Sequence, residues 1–210
     1  MFGKRKKIKD FDIASSAQSE QVTFSDAELL RFFCEGDEKA FEELYSRYRL
    51  PLFGYLNRLC ANNAAETDEV FEETWLRVID KAPKYRDDGK FSAWLFRIAR
   101  NIFIDRLRKN KPELLADADP ELLPEEEFTD NSPDKKAGNK DLRNMIDQAL
   151  ATLQVEQREV FLLREEHELS FKEIAEIQQC SLGTVLSRMR YALKKLRNYL
   201  TDIDTGGLLK

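Results

Sequence analysis

The sequence predicts an all-α protein: two small helical domains joined by an acidic flexible linker. Three observations predict it. Helix-forming Leu, Glu, Arg, Lys and Ala dominate a chain of 210 residues that holds only eight Gly and six Pro. Apolar residues recur at helical spacing on both sides of one proline-containing stretch. That stretch, residues 112–134, carries nine acids, no Lys or Arg, and Pro112, Pro120, Pro124 and Pro133, so it offers no apolar stripe to a core. The chain divides accordingly into a flexible basic arm (1–23), a helical domain (24–110), the linker (111–138), a second helical domain (139–201) and a tail (202–210).

The elements follow in order. Ser25-Asp26-Ala27-Glu28 has the form of a capping box, in which the serine oxygen takes an orphan backbone N–H and the glutamate reaches back. A short helix through Phe33 ends near Gly36, a good residue for the left-handed turn after a helix. A second helix starts near Asp37 with Phe41, Leu44, Tyr45, Tyr48, Leu52, Phe53, Leu56 and Leu59 at helical spacing, and Pro51 is expected to bend or interrupt it. Thr67 opens a third, with Val70, Phe71, Trp75, Leu76 and Ile79 on roughly one side, and Pro83 closes it. Residues 84–90 have turn chemistry. A fourth helix, Ser92 to Lys109, turns Trp94, Leu95, Ile98, Ile102 and Phe103 inward and leaves Arg97, Arg100, Asn101, Arg106 and Arg108 outside.

In the second domain Leu142, Met145, Ile146, Ala149, Leu150 and Leu153 repeat at helical spacing, and Val155 to Arg164 reads as the next helix. Ser170-Phe171-Lys172-Glu173 is another capping box, opening a short helix with Ile174, Ala175 and Ile177 apolar. After a break at Gln179-Cys180-Ser181 comes a last helix, Leu182 to Leu200, that buries Val185, Met189, Ala192, Leu193 and Leu196. Two short helices joined by a tight turn, the second one basic, form a helix-turn-helix pattern.

Composition removes whole classes of function. At 42% hydrophobic and 35% charged residues, against about 45–50% and about 25% in typical domains, the surface is heavily charged. No segment approaches the roughly 20 apolar residues of a membrane span. The Lys4-Arg5-Lys6-Lys7 run precedes no apolar stretch and reads as a basic tail rather than a signal peptide. Cys34, Cys60 and Cys180 lack disulfide or metal spacing and are expected to be small buried hydrophobes in a reducing, cytoplasmic setting. His167, the one histidine, lies in the acidic run Arg164-Glu165-Glu166-His167-Glu168 and is expected at a solvated helix end. With no His/Cys/Asp constellation and no Gly-rich phosphate loop, the sequence predicts no enzyme, no catalytic residue, no metal, no cofactor and no small-molecule substrate.

The net charge of −5 conceals blocks of opposite sign. Residues 66–80 hold six acids against Arg77, residues 90–111 seven basic residues against Asp105, and residues 181–200 five basic residues and no acid. Such blocks fit distinct partners for distinct segments. On the last helix Ser187, Arg190, Tyr191 and Lys194 lie opposite the apolar stripe with Thr184 and Arg188 flanking, a surface suited to a major groove. The fourth helix combines arginines that can track phosphates with aromatics that can stack on bases, with Tyr85, Phe91 and the loop as free candidates.

At three places the chain resembles the extracytoplasmic-function sigma factors, a compact branch of the bacterial sigma-70 family. Thr67-Asp68-Glu69-Val70-Phe71-Glu72-Glu73-Thr74-Trp75-Leu76-Arg77 is similar to the region 2.2 segment that docks on RNA polymerase. Trp94-Leu95-Phe96-Arg97-Ile98-Ala99-Arg100-Asn101, continuing to Asp105-Arg106-Leu107-Arg108, is similar to the segment that recognises and melts the −10 element. Leu153 to Glu166, Leu169 to Glu176 and Gly183 to Met189 resemble region 4, which reads the −35 element. The resemblance implies docking on the β′ clamp helices and β subunit of core RNA polymerase through Asp68, Glu69, Phe71, Glu72, Glu73, Trp75 and Leu76. It implies −10 contacts from Tyr85, Arg86, Lys90, Trp94, Arg97, Arg100, Asn101, Arg106 and Arg108, and −35 contacts from Thr184, Ser187, Arg188, Arg190, Tyr191 and Lys194.

Promoter DNA is then the second partner, and an anti-sigma factor is a common third in the family. At about 3.3 Å per residue, segment 111–138 reaches up to roughly 90 Å, beyond the roughly 58 Å between boxes about 17 base pairs apart. Departures from the family pattern are Glu69 and Glu72 for Asp and Gln, Gln179 for a turn glycine, and Leu186 for Lys or Arg. Two rival readings are an autonomous helix-turn-helix regulator, which binds duplex DNA by itself, and a helical adaptor without promoter activity.

Overall fold

The computed structural model describes residues 24–86, 90–110 and 139–207. The predicted arm (1–23) and linker (111–138) lie outside the described residues. Eight α-helices and a 3-10 turn (Ala82–Lys84) make up the described chain, with no strand among those residues. They are α1 (Asp26–Cys34), α2 (Glu38–Leu59), α3 (Ala64–Lys81), α4 (Phe91–Asn110), α5 (Asn139–Ala151), α6 (Val155–Glu165), α7 (Phe171–Gln178) and α8 (Leu182–Gly207). Helices α1–α4 form one bundle and α5–α8 a second, and the two meet where α4 packs on α7 and α2 packs on α5 and α6.

The capping signals act as the sequence predicts. Ser25 and Glu28 form a reciprocal box at α1, and Ser170 and Glu173 form one at α7. Gly36 adopts φ 101° with open space around it, so the left-handed backbone is the reason for glycine there. Gln179 adopts φ 55° and ψ 44°, so the turn between α7 and α8 accepts a non-glycine residue in the left-handed region. Ser181 then caps α8, its hydroxyl accepting from the Thr184 N–H at 3.1 Å.

Four local expectations are corrected. Pro51 does not interrupt helix α2, which runs through it because Leu44 on one side and Leu52, Tyr55, Leu56 and Leu59 on the other are all buried in one core while Pro51 faces solvent. Burial of such side chains is worth about 1.5–3 kcal/mol each, which outweighs one lost backbone bond. Helix α3 opens at Ala64 rather than Thr67, because Asn63 supplies the cap by accepting from the Glu66 N–H at 3.3 Å. Thr67 sits inside, its hydroxyl donating to the Asn63 carbonyl at 2.8 Å. Cys34 is exposed at the end of α1, although Cys60 is buried.

The fourth correction concerns His167. It is turned inward, its ring 4.3 Å from that of Phe96 on α4 and 5.8 Å from that of Tyr55 on α2. No helix among the described residues is long and apolar enough to cross a membrane.

Candidate nucleic-acid interface

Helix α3 presents an acidic edge beside an apolar one. Asp68, Glu69 and Glu72 are exposed, and Leu76, 67% exposed, follows one turn on. Phe71 is half-buried against Tyr45, Phe53 and Trp75. Trp75 is only 6% exposed, so it belongs to the core beneath this face. Exposed apolar residues widen the face: Ile79 on α3 and Phe53 on α2, with Leu50 also exposed about one turn before Phe53. Only the neighbourhood of α3 brings Phe53 into it, at 5.6 Å from Phe71.

Helix α4 divides its basic residues between two sides. At 3.6 residues per turn, Lys90, Trp94, Arg97, Asn101 and Arg108 fall on one stripe, with Arg100 to one side of it. Arg106 falls on the opposite side and is not brought together with them. It pairs with Glu69 and Glu73 of α3, the latter at 3.2 Å, and the hydrogen bond it donates to the Glu69 carboxylate is the main reason its pKa is raised. Tyr85 packs against Phe91 and Trp94 at ring distances of 5.9 and 4.8 Å. Phe91, expected free for stacking, is buried in the core, where it also touches Tyr48. Arg86 and Arg108 are exposed, and Arg108 lies 3.9 Å from Asp105.

Helix α8 carries the second basic surface. Val185, Met189, Ala192 and Leu196 anchor its inner side, whereas Leu193, expected inside, is exposed. Arg190, Tyr191 and Lys194 are exposed, with Thr184 and Ser187 half-exposed beside them. Arg188 turns back toward the preceding helix and donates to the Gln178 amide oxygen at 2.8 Å, so it orients the turn. Leu186 is exposed on the flank of this surface.

The contacts between the bundles escaped the sequence reading. Arg158 on α6 is buried and donates to five main-chain carbonyls. Those of Leu150, Ala151 and Leu153 lie at 2.8, 3.0 and 3.0 Å, and those of Arg58 and Leu59, at the end of α2, at 3.3 and 3.0 Å. Burial pulls its pKa down. Beside it Glu159 is fully buried and accepts from Arg100, Tyr55 and Gln178. Burial pushes the Glu159 carboxyl pKa up, opposed first by the charge of Arg100. Arg58 pairs with Asp147 at 2.9 Å and with Glu166. None of these pairs has a local spacing that a sequence pattern could reveal.

Comparisons with known proteins agree with this two-bundle arrangement. Residues 44–113 match the Sigma-70 region 2 family and residues 143–196 the Sigma-70 region 4 family. The chain is 32% identical to the ECF RNA polymerase sigma factor SigW of Bacillus subtilis over 177 residues, covering 80% of this chain and 93% of that one. It is 28% identical to the ECF RNA polymerase sigma-E factor of Haemophilus influenzae, covering 88% of this chain and 99% of that one. Among solved structures it resembles the sigma factor RpoE, in complex with the anti-sigma factor NepR, from Bartonella quintana. That match has a TM-score of 0.61 and 26% identity, over 78% of this chain and 98% of that one. CnrH, in complex with the cytosolic domain of CnrY, shares the fold with a TM-score of 0.61 at 22% identity, over 84% of this chain and 97% of that one.

Proposed function

Because the chain belongs to the extracytoplasmic-function branch of the sigma-70 family of RNA polymerase sigma factors, we propose how its surfaces divide that work. The first bundle, within 24–110, docks on core polymerase and engages the −10 element, and the second, within 139–201, reads the −35 element. The factor is non-enzymatic, acts in the cytoplasm beside polymerase, and has an anti-sigma factor as a further partner.

On α3 the docking residues are Asp68, Glu69, Glu72 and Leu76, with Phe71, Glu73 and Trp75 shaping the face from beneath or beside it. Arg106 holds Glu69 and Glu73 in place, so it acts through the docking face. The −10 set is Tyr85, Arg86, Lys90, Trp94, Arg97, Arg100, Asn101 and Arg108. The −35 set is Thr184, Ser187, Arg190, Tyr191 and Lys194, with Arg188 positioning the turn. Strand opening draws its energy from binding: extracting a base costs a few kcal/mol, and each base stacked on an aromatic side chain returns about 1–3 kcal/mol.

The observation that supports this division best is the separation of charge on α4. Lys90, Arg97 and Arg108 share a side with Asn101 and Trp94, while Arg106 alone serves the acidic helix. The test is complex formation between the purified chain and sigma-free core polymerase. A one-to-one complex is expected, lost on Glu72→Lys with Leu76→Asp and kept on Arg97→Ala. A chain that binds duplex DNA tightly but never binds core would favour the autonomous regulator instead.

A further inference from the structure

The first two turns of α8 carry a leucine among polar neighbours. Leu186 is 42% exposed, so the fold leaves much of its side chain open to solvent. At about 100° per residue, it shares a side of α8 with Arg190, about 40° away, and Gly183, about 60° away. Gly183 is exposed too, and a Cβ placed on it would meet nothing nearer than the Ser181 Oγ at 3.7 Å. Packing therefore does not require a glycine there, whereas close approach of another molecule to the backbone accounts for one. The hydroxyls of Ser181 and Thr184 lie 2.9 Å apart, and the former also accepts from the Thr184 N–H, so the cap occupies both in part.

We propose that Leu186 is a specificity-determining residue of the −35 reader, packing on the C5 methyl of a thymine in the major groove. This inference rests on the assignment of α8 to the −35 element given above, and it adds a base contact made by an apolar side chain.

Chemistry selects that ligand. Phosphate oxygens are bound by cations and hydrogen-bond donors, and Leu186 is neither. The groove edges of guanine, adenine and cytosine present acceptors and donors, and a leucine laid over one of them leaves it without a partner. Thymine alone adds an apolar group there. Position selects Leu186 over the other exposed leucines of α8, which are Leu182, Leu193 and Leu200. Base edges are met by the N-terminal residues of a recognition helix, and Leu193 and Leu200 lie about 10 and 21 Å further along the axis. Leu182, about 140° from Ser187 around the helix, faces away from the polar residues of this surface.

The test uses holoenzyme assembled from the full chain and core polymerase, on a duplex promoter fragment taken from a transcript start mapped with that holoenzyme. Each thymine on either strand of its −35 element is replaced singly by deoxyuridine, which lacks only the C5 methyl. At one such position the replacement should weaken binding about fourfold, the value of burying one methyl-sized group. Leu186→Ala should bind that deoxyuridine fragment and the thymine fragment equally well, while Leu186→Met, long and apolar, keeps most of the preference. Because Leu186 is exposed, neither substitution should move the melting curve.

A −35 element without thymine, no effect of deoxyuridine at any position, or a preference that survives Leu186→Ala overturns the proposal. So does a Leu186→Ala chain that binds core polymerase more weakly, since the leucine then packs on protein. Failure of the underlying reading looks different: scrambling the −35 element then costs no affinity, or no complex with core polymerase forms at all.

Discussion

Replacing Arg158 with Met removes a cation that caps two helices at once. Its five main-chain acceptors lie at 2.8–3.3 Å, three near the end of α5 and two at the end of α2. At a net value of about 1 kcal/mol for each hydrogen bond, the loss is about 5 kcal/mol. Relief from burying a guanidinium, and the apolar fit of Met, offset about 2 kcal/mol of that. A net destabilisation of about 3 kcal/mol remains, a large share of the roughly 5–15 kcal/mol that holds a typical protein together. For a chain of this size it lowers the melting temperature by about 6–12 °C.

The assay is urea and thermal unfolding followed by circular dichroism, with Arg158→Lys alongside. Lysine has one compact ammonium and cannot span both helix ends, so it should recover less than half of the loss. Because the arginine also joins the two bundles, the Met variant should unfold in two steps where the wild type unfolds in one. A loss below about 1 kcal/mol, or a Lys variant as stable as wild type, would refute the reasoning.

Other expectations follow from single sites. Burial first, and then the charge of Arg58, hold the His167 pKa at about 4 against an ordinary 6.5. The unfolded chain therefore takes up this proton from about pH 6.5 downward and the folded chain only near 4, so stability falls as pH drops through that window, by up to about 3 kcal/mol. Glu159, also in the seam between the bundles, acts with the opposite sign, so the measurement is the difference in pH dependence between wild type and His167→Leu. An identical slope in both would contradict the half-buried, neutral histidine. Gln179→Gly should raise stability by about 0.5–1 kcal/mol, because the residue sits at φ 55°, and no change in the urea midpoint would count against that backbone assignment. Glu72→Lys with Leu76→Asp should weaken core binding by at least tenfold, or about 1.4 kcal/mol, while leaving the melting curve in place, since both side chains are exposed.

What could be read from sequence was whatever the chain settles locally. The boxes Ser25/Glu28 and Ser170/Glu173 work within one turn, and both form. Apolar spacing likewise placed most of the core of α4 and α8, except that Phe91, expected free, is buried and Leu193, expected inside, is exposed. Errors arose where a distant partner decides. Arg106 looked like one more cation on a basic helix until α3 supplied Glu69 and Glu73 opposite it. His167 looked solvated because its sequence neighbours are acidic, whereas Phe96 and Tyr55 come from the other bundle. The seam built on Arg58, Arg158 and Glu159 joins residues about a hundred positions apart, beyond the reach of any periodicity.

The most direct test of the central claim is to add the purified chain to sigma-free core RNA polymerase on genomic DNA from its own organism and map the 5′ ends of the transcripts. The account predicts new starts, each preceded by a shared pair of sequence elements at −35 and −10, and their loss on Arg97→Ala with Asn101→Ala. Transcripts starting at random, or no transcripts from a complex that forms, would contradict it.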